Sequence, residues 1–121
     1  MNDFNELTSR YVAMWNETKT ERRNQYVREL WVEDGIECTK ARETRGQTAL
    51  EARVTASHER NVRDGGCLFR SCNNADGHHG LIKFNWEMFR VSDGVVQSTG
   101  FYILLLNDGG KIHTAWLFVD P

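Results

Sequence analysis

The stretch DGHHGLIKFNWEMFR, residues 76–90, sets two adjacent histidines ahead of an alternating run of apolar and polar side chains. Imidazole titrates near neutrality, so histidine is the side chain best suited to moving protons at physiological pH. Successive residues of a strand point to opposite faces, so His78 and His79 reach one metal ion or one substrate only if the strand is bulged there. Parity puts His78 with Gly80, Ile82, Phe84, Trp86 and Met88 on an apolar side, and His79 with Lys83, Asn85 and Glu87 on a polar one. His78 is therefore the acid/base candidate of the pair; the alternative is a rim histidine that only caps the strand or meets water. His58 shares a helical stretch with Val54 and could line a pocket mouth. His113 falls out of parity with Trp116 and Phe118 and is expected on the opposite face.

The three cysteines, Cys38, Cys67 and Cys72, make an odd count without a CxxC spacing, which argues against a disulfide framework and for a reducing compartment. Cys67 and Cys72 differ by an odd number and face apart on a strand, so no set of three ligands has consistent geometry and no metal is expected. Trp15, Trp86, Trp116, Phe69, Phe84 and Phe118 supply more aromatic surface than a plain core of this size requires. As a group they suit the wall of an apolar cavity, for an aromatic or polycyclic ligand carrying one or two oxygens; taken singly, each could simply fill the core.

What must position these groups is one domain over residues 1–121, a length sufficient to bury a real core without staples. Fifteen Lys and Arg against seventeen Asp and Glu leave a net charge of -2. Basic Arg22, Arg23 and Arg28 alternate with Glu21 and Glu29, which is a solvated face and no footprint for nucleic acid. The apolar run from Ile103 to Leu106 is too short to span a bilayer, and MNDFNELTSR lacks the apolar centre of a signal peptide. A cytoplasmic protein without membrane contact is expected.

Phe4, Leu7, Tyr11, Met14 and Trp15 recur at three- and four-residue steps, which predicts an amphipathic helix over 3–17. Thr20 is placed as the N-cap of a second helix running to residue 32, with Tyr26, Val27, Leu30 and Trp31 as its stripe. A short strand at 35–39, a polar loop, and a third helix carrying Ala49, Leu50, Val54 and Ser57 follow. From Gly65 the period changes to two, predicting strands near 66–73, 78–90, 95–107 and 111–119, separated by NNADG, SDG and NDGG turns. Helices first and then a meandering sheet is an α+β layout.

Four segments, SRYVAMWNE, LWVEDGIEC, TRGQTALEARV and GFYILLLNDGGKIHTAWLF, give the chain a pattern that resembles the NTF2-like superfamily, in particular its SnoaL-like and ketosteroid-isomerase-like bacterial members. The resemblance implies three N-terminal helices packed on a strongly curved, mainly antiparallel sheet that encloses a pocket, with no cofactor and commonly a homodimer built sheet to sheet. The alternation itself supports the dimer, because Gly100, Tyr102, Leu104 and Leu106 on one side and Phe101, Ile103 and Leu105 on the other are nearly all apolar. A strand greasy on both faces must be covered on both, and one chain has helices for only one.

For the chemistry, the isomerase-like members imply a carboxylate base near the end of the first strand, plus a phenol and a protonated carboxylic acid as oxyanion donors; ketosteroid isomerase is a standard case of such tuning. Here the phenol position matches Tyr11, the base position falls on Cys38, and the acid position falls on Tyr102. A thiol is a poor substitute for a carboxylate base. Tyr11 and Tyr102 could converge on a carbonyl oxygen and stabilise an enolate, with His78 or Cys38 moving the proton; alternatively both are core tyrosines. The expectation is a small-molecule enzyme acting by acid/base chemistry on an apolar carbonyl compound, or a non-catalytic pocket of the same fold.

Overall fold

The computed structural model describes residues 3–121. Helix α1 (Asp3–Asn16) buries Tyr11, Met14 and Trp15 along the predicted stripe. Helix α2 (Thr20–Leu30) starts one residue earlier than expected: Lys19 is the cap, and Thr20 instead accepts a hydrogen bond from Arg23 through its Oγ1. Trp31 then leaves the helix for extended backbone and opens strand β1 (Trp31–Cys38). Gly35 makes this early start possible, since a Cβ there would lie 2.8 Å from the Trp31 ring. The short strand β2 (Glu43–Arg45) lies in the polar stretch read as loop, too brief to display alternation. Helix α3 (Gln47–Ser57) continues as a π-helical segment, His58–Arg63.

The predicted strand 78–90 is in fact two. Strands β4 (Asp76–His78) and β5 (Leu81–Arg90) pair antiparallel with His78 opposite Leu81. The two residues between them, His79 and Gly80, both have positive φ, at 54° and 79°. Positive φ at both central residues is the signature of a two-residue hairpin turn of the I′ kind, whose twist matches that of the flanking strands. Parity therefore does not run through Gly80, and His78 sits on a different strand from Phe84 and Trp86. The remaining strands are β3 (Cys67–Ser71), β6 (Val96–Leu106) and β7 (Ile112–Val119).

The sheet order is β2-β1-β7-β6-β5-β3, with β4 on β5. Every pairing is antiparallel except β1 with β7, so the curved sheet is mixed, and the architecture is α+β with three helices on it. Tyr11, Trp31, Phe84, Leu104 and Ile112 form the fully buried centre between helices and sheet. Among the described residues no helix is long and apolar enough to cross a membrane.

Candidate functional site

A cavity of about 220 Å³ opens between α1, the α3–π segment and the inner faces of β3, β5, β6 and β7. Its apolar wall includes Val12, Trp15, Phe69, Trp86, Met88 and Leu117; its polar groups are Arg53, Ser57, Arg60, Asn61, Ser98 and Tyr102. Two elements fix the wall. Asn16 ties α1 to β3 by donating to the Phe69 carbonyl at 2.7 Å and accepting from the Phe69 amide at 2.8 Å, which fixes Trp15 and Phe69 together. Trp86 lies flat over its cross-strand partner Gly100, where an added Cβ would come within 2.6 Å of the ring. Arg53, Ser57, Arg60 and Asn61 recur at helical steps, so one face of α3 and its π-helical extension supplies most of the polar lining. Asn61 donates to the Ser57 hydroxyl at 3.2 Å.

At the base of the cavity lies a buried ion pair. Glu37, with no exposed surface, accepts from Arg53 Nε at 2.8 Å on one oxygen and from the Tyr102 hydroxyl at 3.1 Å on the other. The Arg53 guanidinium also covers the Trp15 ring, 5.2 Å from its centre. Buried charges are tolerated when paired and hydrogen-bonded, and all three groups meet that condition here. Burial works against the Arg53 charge, but Glu37 outweighs it and holds the guanidinium still more firmly protonated. Burial, then the neighbouring Tyr11 and Glu37, push the Tyr102 phenol well above its ordinary value, so it stays neutral. Tyr11 is raised for the same first reason, followed by Glu37.

Of the residues singled out in the sequence, Trp15, Phe69, Trp86 and Tyr102 border the cavity. Tyr11 does not; it stands behind Tyr102 in an edge-on contact with ring centres 4.9 Å apart, and its buried hydroxyl makes no well-formed hydrogen bond among the described residues. Phe84 stacks on Tyr102 at 5.7 Å within the core and backs that phenol without facing the cavity. Trp116 is turned to the outer face, opposite Ile103, because Ala115 and Leu117 take the inner positions of β7. His58 is buried beside Arg23 and the Trp15 backbone rather than at the mouth, and burial, then the Arg23 charge, lower its pKa. His78 is exposed at the β4–β5 hairpin, its Nδ1 2.8 Å from that of His79, away from the aromatic wall. A bulge opposite Leu105 and Leu106 leaves His113 exposed.

Cys38 is the clearest correction. It is half-buried on the other face of β1, opposite Trp116, and burial followed by Glu43 and Glu37 raises its thiol. The inward residue is its neighbour Glu37, so the carboxylate expected near the end of the first strand is present one position earlier. The register carried over from the resemblance through VEDGIEC is off by one residue, since the buried positions of β1 are Trp31, Gly35 and Glu37. Sequence reasoning also missed Arg53, although its four-residue step to Ser57 marks it as facing the same way.

No family model and no curated protein matches the sequence. Solved structures do. A member of the SnoaL-like family from Agrobacterium tumefaciens, provisionally called an isomerase, is 26% identical, covers 100% of both chains and superimposes with a TM-score of 0.89. A protein from Sinorhizobium meliloti, provisionally called a polyketide cyclase, is 12% identical with a TM-score of 0.71 over 93% of this chain and 94% of that one. A SnoaL-like protein of unknown function from Burkholderia thailandensis is 8% identical with a TM-score of 0.73 over 100% and 98%. The chain has the NTF2-like fold and is similar to SnoaL-like proteins over its whole described length.

Proposed function

We propose that this chain is a cytoplasmic, single-domain SnoaL-like pocket protein that carries out cofactor-independent acid/base chemistry on an apolar carbonyl compound, as an isomerase, cyclase or dehydratase does. The observation that supports it is the hydrogen bond from Tyr102, on the cavity wall, to Glu37 behind it. A neutral phenol bonded to a buried carboxylate is a proton relay: the substrate α-proton passes to the Tyr102 oxygen while the Tyr102 proton passes to Glu37. Return of the proton at another carbon completes an isomerisation with nothing gained or lost. Arg53 orients Glu37, and Tyr11 is a positioning residue that packs on the Tyr102 ring. The chemistry named for the Agrobacterium and Sinorhizobium proteins is of the same kind. A cavity of about 150 Å³ holds a benzene, so 220 Å³ suits one or two rings rather than a larger polycycle. A second copy is proposed to cover the outer sheet face, where Phe101 stacks on the exposed Phe118 at 4.6 Å.

A non-catalytic binding role is favoured by one feature: both Glu37 oxygens are already engaged, leaving the relay through Tyr102 as the carboxylate's route to the cavity. Deuterium uptake separates the readings. With 2-tetralone in D2O, the wild-type protein is expected to accelerate exchange at the α-carbon, and Tyr102→Phe to lose on the order of a hundredfold or more of that rate. Tyr11→Phe should lose far less. Binding of the ketone without accelerated exchange would leave the protein a carrier or sensor.

A further inference from the structure

We infer that the cavity selects an anion: a one- or two-ring carboxylate whose acid group is held by Arg53 and Arg60. This rests on the reading of the cavity as a small-molecule site and specifies what it takes. Only the Nε of Arg53 is engaged, on Glu37. Among the described residues its Nη donors have no acceptor, yet the side chain borders the cavity and keeps 12% exposure. Arg60, seven residues on and on the same helical face, likewise has no carboxylate partner among the described residues, whereas Arg63 just beyond it is tied to Glu59 and Asp64.

The charges do not cancel at the wall. Glu37 compensates Arg53 from behind, and among the described residues no carboxylate pairs with Arg60 and no acidic side chain borders the cavity. Of the other polar lining groups, Ser57, Asn61 and Ser98 can each donate a hydrogen bond, while the Tyr102 hydroxyl donates to Glu37. A planar guanidinium edge with two parallel donors matches a carboxylate better than a lone carbonyl oxygen, and the match strengthens where water is partly excluded. Trp15, Phe69, Trp86 and Leu117 then take the ring system. An amphiphilic acid meets both halves of the wall; a neutral carbonyl ligand would answer the Nη donors with one uncharged acceptor only.

Calorimetric titration of the purified protein with 2-naphthoate and its neutral counterpart 2-naphthamide tests this. The naphthoate should bind about tenfold more tightly or better, the difference a charge-assisted hydrogen bond makes. Arg60→Gln, a surface change outside the buried pair, should lower naphthoate affinity severalfold and leave the amide unchanged. Replacing both members of the pair, Arg53→Gln with Glu37→Gln, removes the fork without stranding a buried charge and should abolish most of the preference. Equal affinity for acid and amide, or preference for the amide, overturns the inference while the pocket reading stands. Failure of both probes to bind overturns the pocket reading and the inference with it.

Discussion

The Tyr102 hydroxyl and the Glu37 carboxylate meet at 3.1 Å across a gap of 65 residues in sequence, although strand β7 lies between the strands that carry them. The contact is possible because the β7 residue paired with Glu37 is Ala115, fully buried and too small to fill the space above it. Ala115 pairs in turn with Leu104, two residues along from Tyr102 on the same face. A small residue in the middle strand thus lets a tyrosine on one neighbour reach an acid on the other.

Enlarging that residue should break the link. Ala115→Leu is expected to cost about 1–3 kcal/mol through overpacking, and to remove the Tyr102–Glu37 hydrogen bond while both residues remain. Urea denaturation gives the first quantity, and the deuterium-exchange rate should fall with the second. Wild-type stability and exchange in the variant would show that the space between the strands is not what permits the contact.

The Glu37–Arg53 pair predicts a strongly non-additive cycle. Removing one partner of a buried ion pair leaves the other uncompensated, at a cost of about 3–5 kcal/mol, whereas replacing both by uncharged groups of similar volume costs far less. Glu37→Gln and Arg53→Met should therefore each destabilise strongly, and the double variant should recover much of the loss. Additive free energies from denaturant titration would mean that the two charges are independently solvated.

Stability should also fall with acidity through His58. Its folded pKa lies below the ordinary 6.5, because burial and then the Arg23 charge oppose protonation, with Arg63 adding to them and Glu17 and the Trp15 backbone acting the other way. As pH falls through 6.5 the unfolded chain takes the proton first, so the contribution is complete above that value and is lost between it and the lower folded value. Denaturation midpoints above neutrality and at mildly acidic pH should diverge in the wild type, and His58→Gln should narrow the gap. An equal gap in the variant would place the acid sensitivity elsewhere.

Much of this was legible in the sequence where burial and periodicity agree. The α1 stripe survives because it reports one buried face; β6 is apolar on both faces, so its alternation only grouped Tyr102 with Gly100 and Leu104, and the resemblance marked Tyr102 as a site residue. What failed were changes of phase. His79 and Gly80 turn the chain by positive φ, which alternation does not register, and so carried His78 onto the wrong strand. Cys38 came from a register carried over with the resemblance, and the buried positions of β1, Gly35 and Glu37, put the acid one residue earlier. Arg53 was invisible for another reason: an arginine on a helix ordinarily marks the solvent side, and only its pairing with a buried acid on a distant strand makes it an inward residue.

The outer sheet face carries the last prediction. Phe101 and Phe118 lie nearly parallel, 8° apart, with Ile103, Leu105 and Trp116 alongside on the face away from the helices, and Phe118 keeps 38% of its surface exposed. Lys83 reaches over the Phe101 ring at 5.1 Å, covering only an edge of the strip. Contiguous apolar surface on a sheet is the usual mark of an interface, and a stable one buries roughly 800 Å² per partner. Two copies placed face to face would bury the strip against itself, so that Phe118→Lys sets like charges near the axis of the pair. Sedimentation velocity should show a wild-type dimer and a Phe118→Lys monomer of unchanged far-ultraviolet circular dichroism, since the side chain supports no inner contact. A wild-type chain that sediments as a monomer at micromolar concentration would rule out this use of the face.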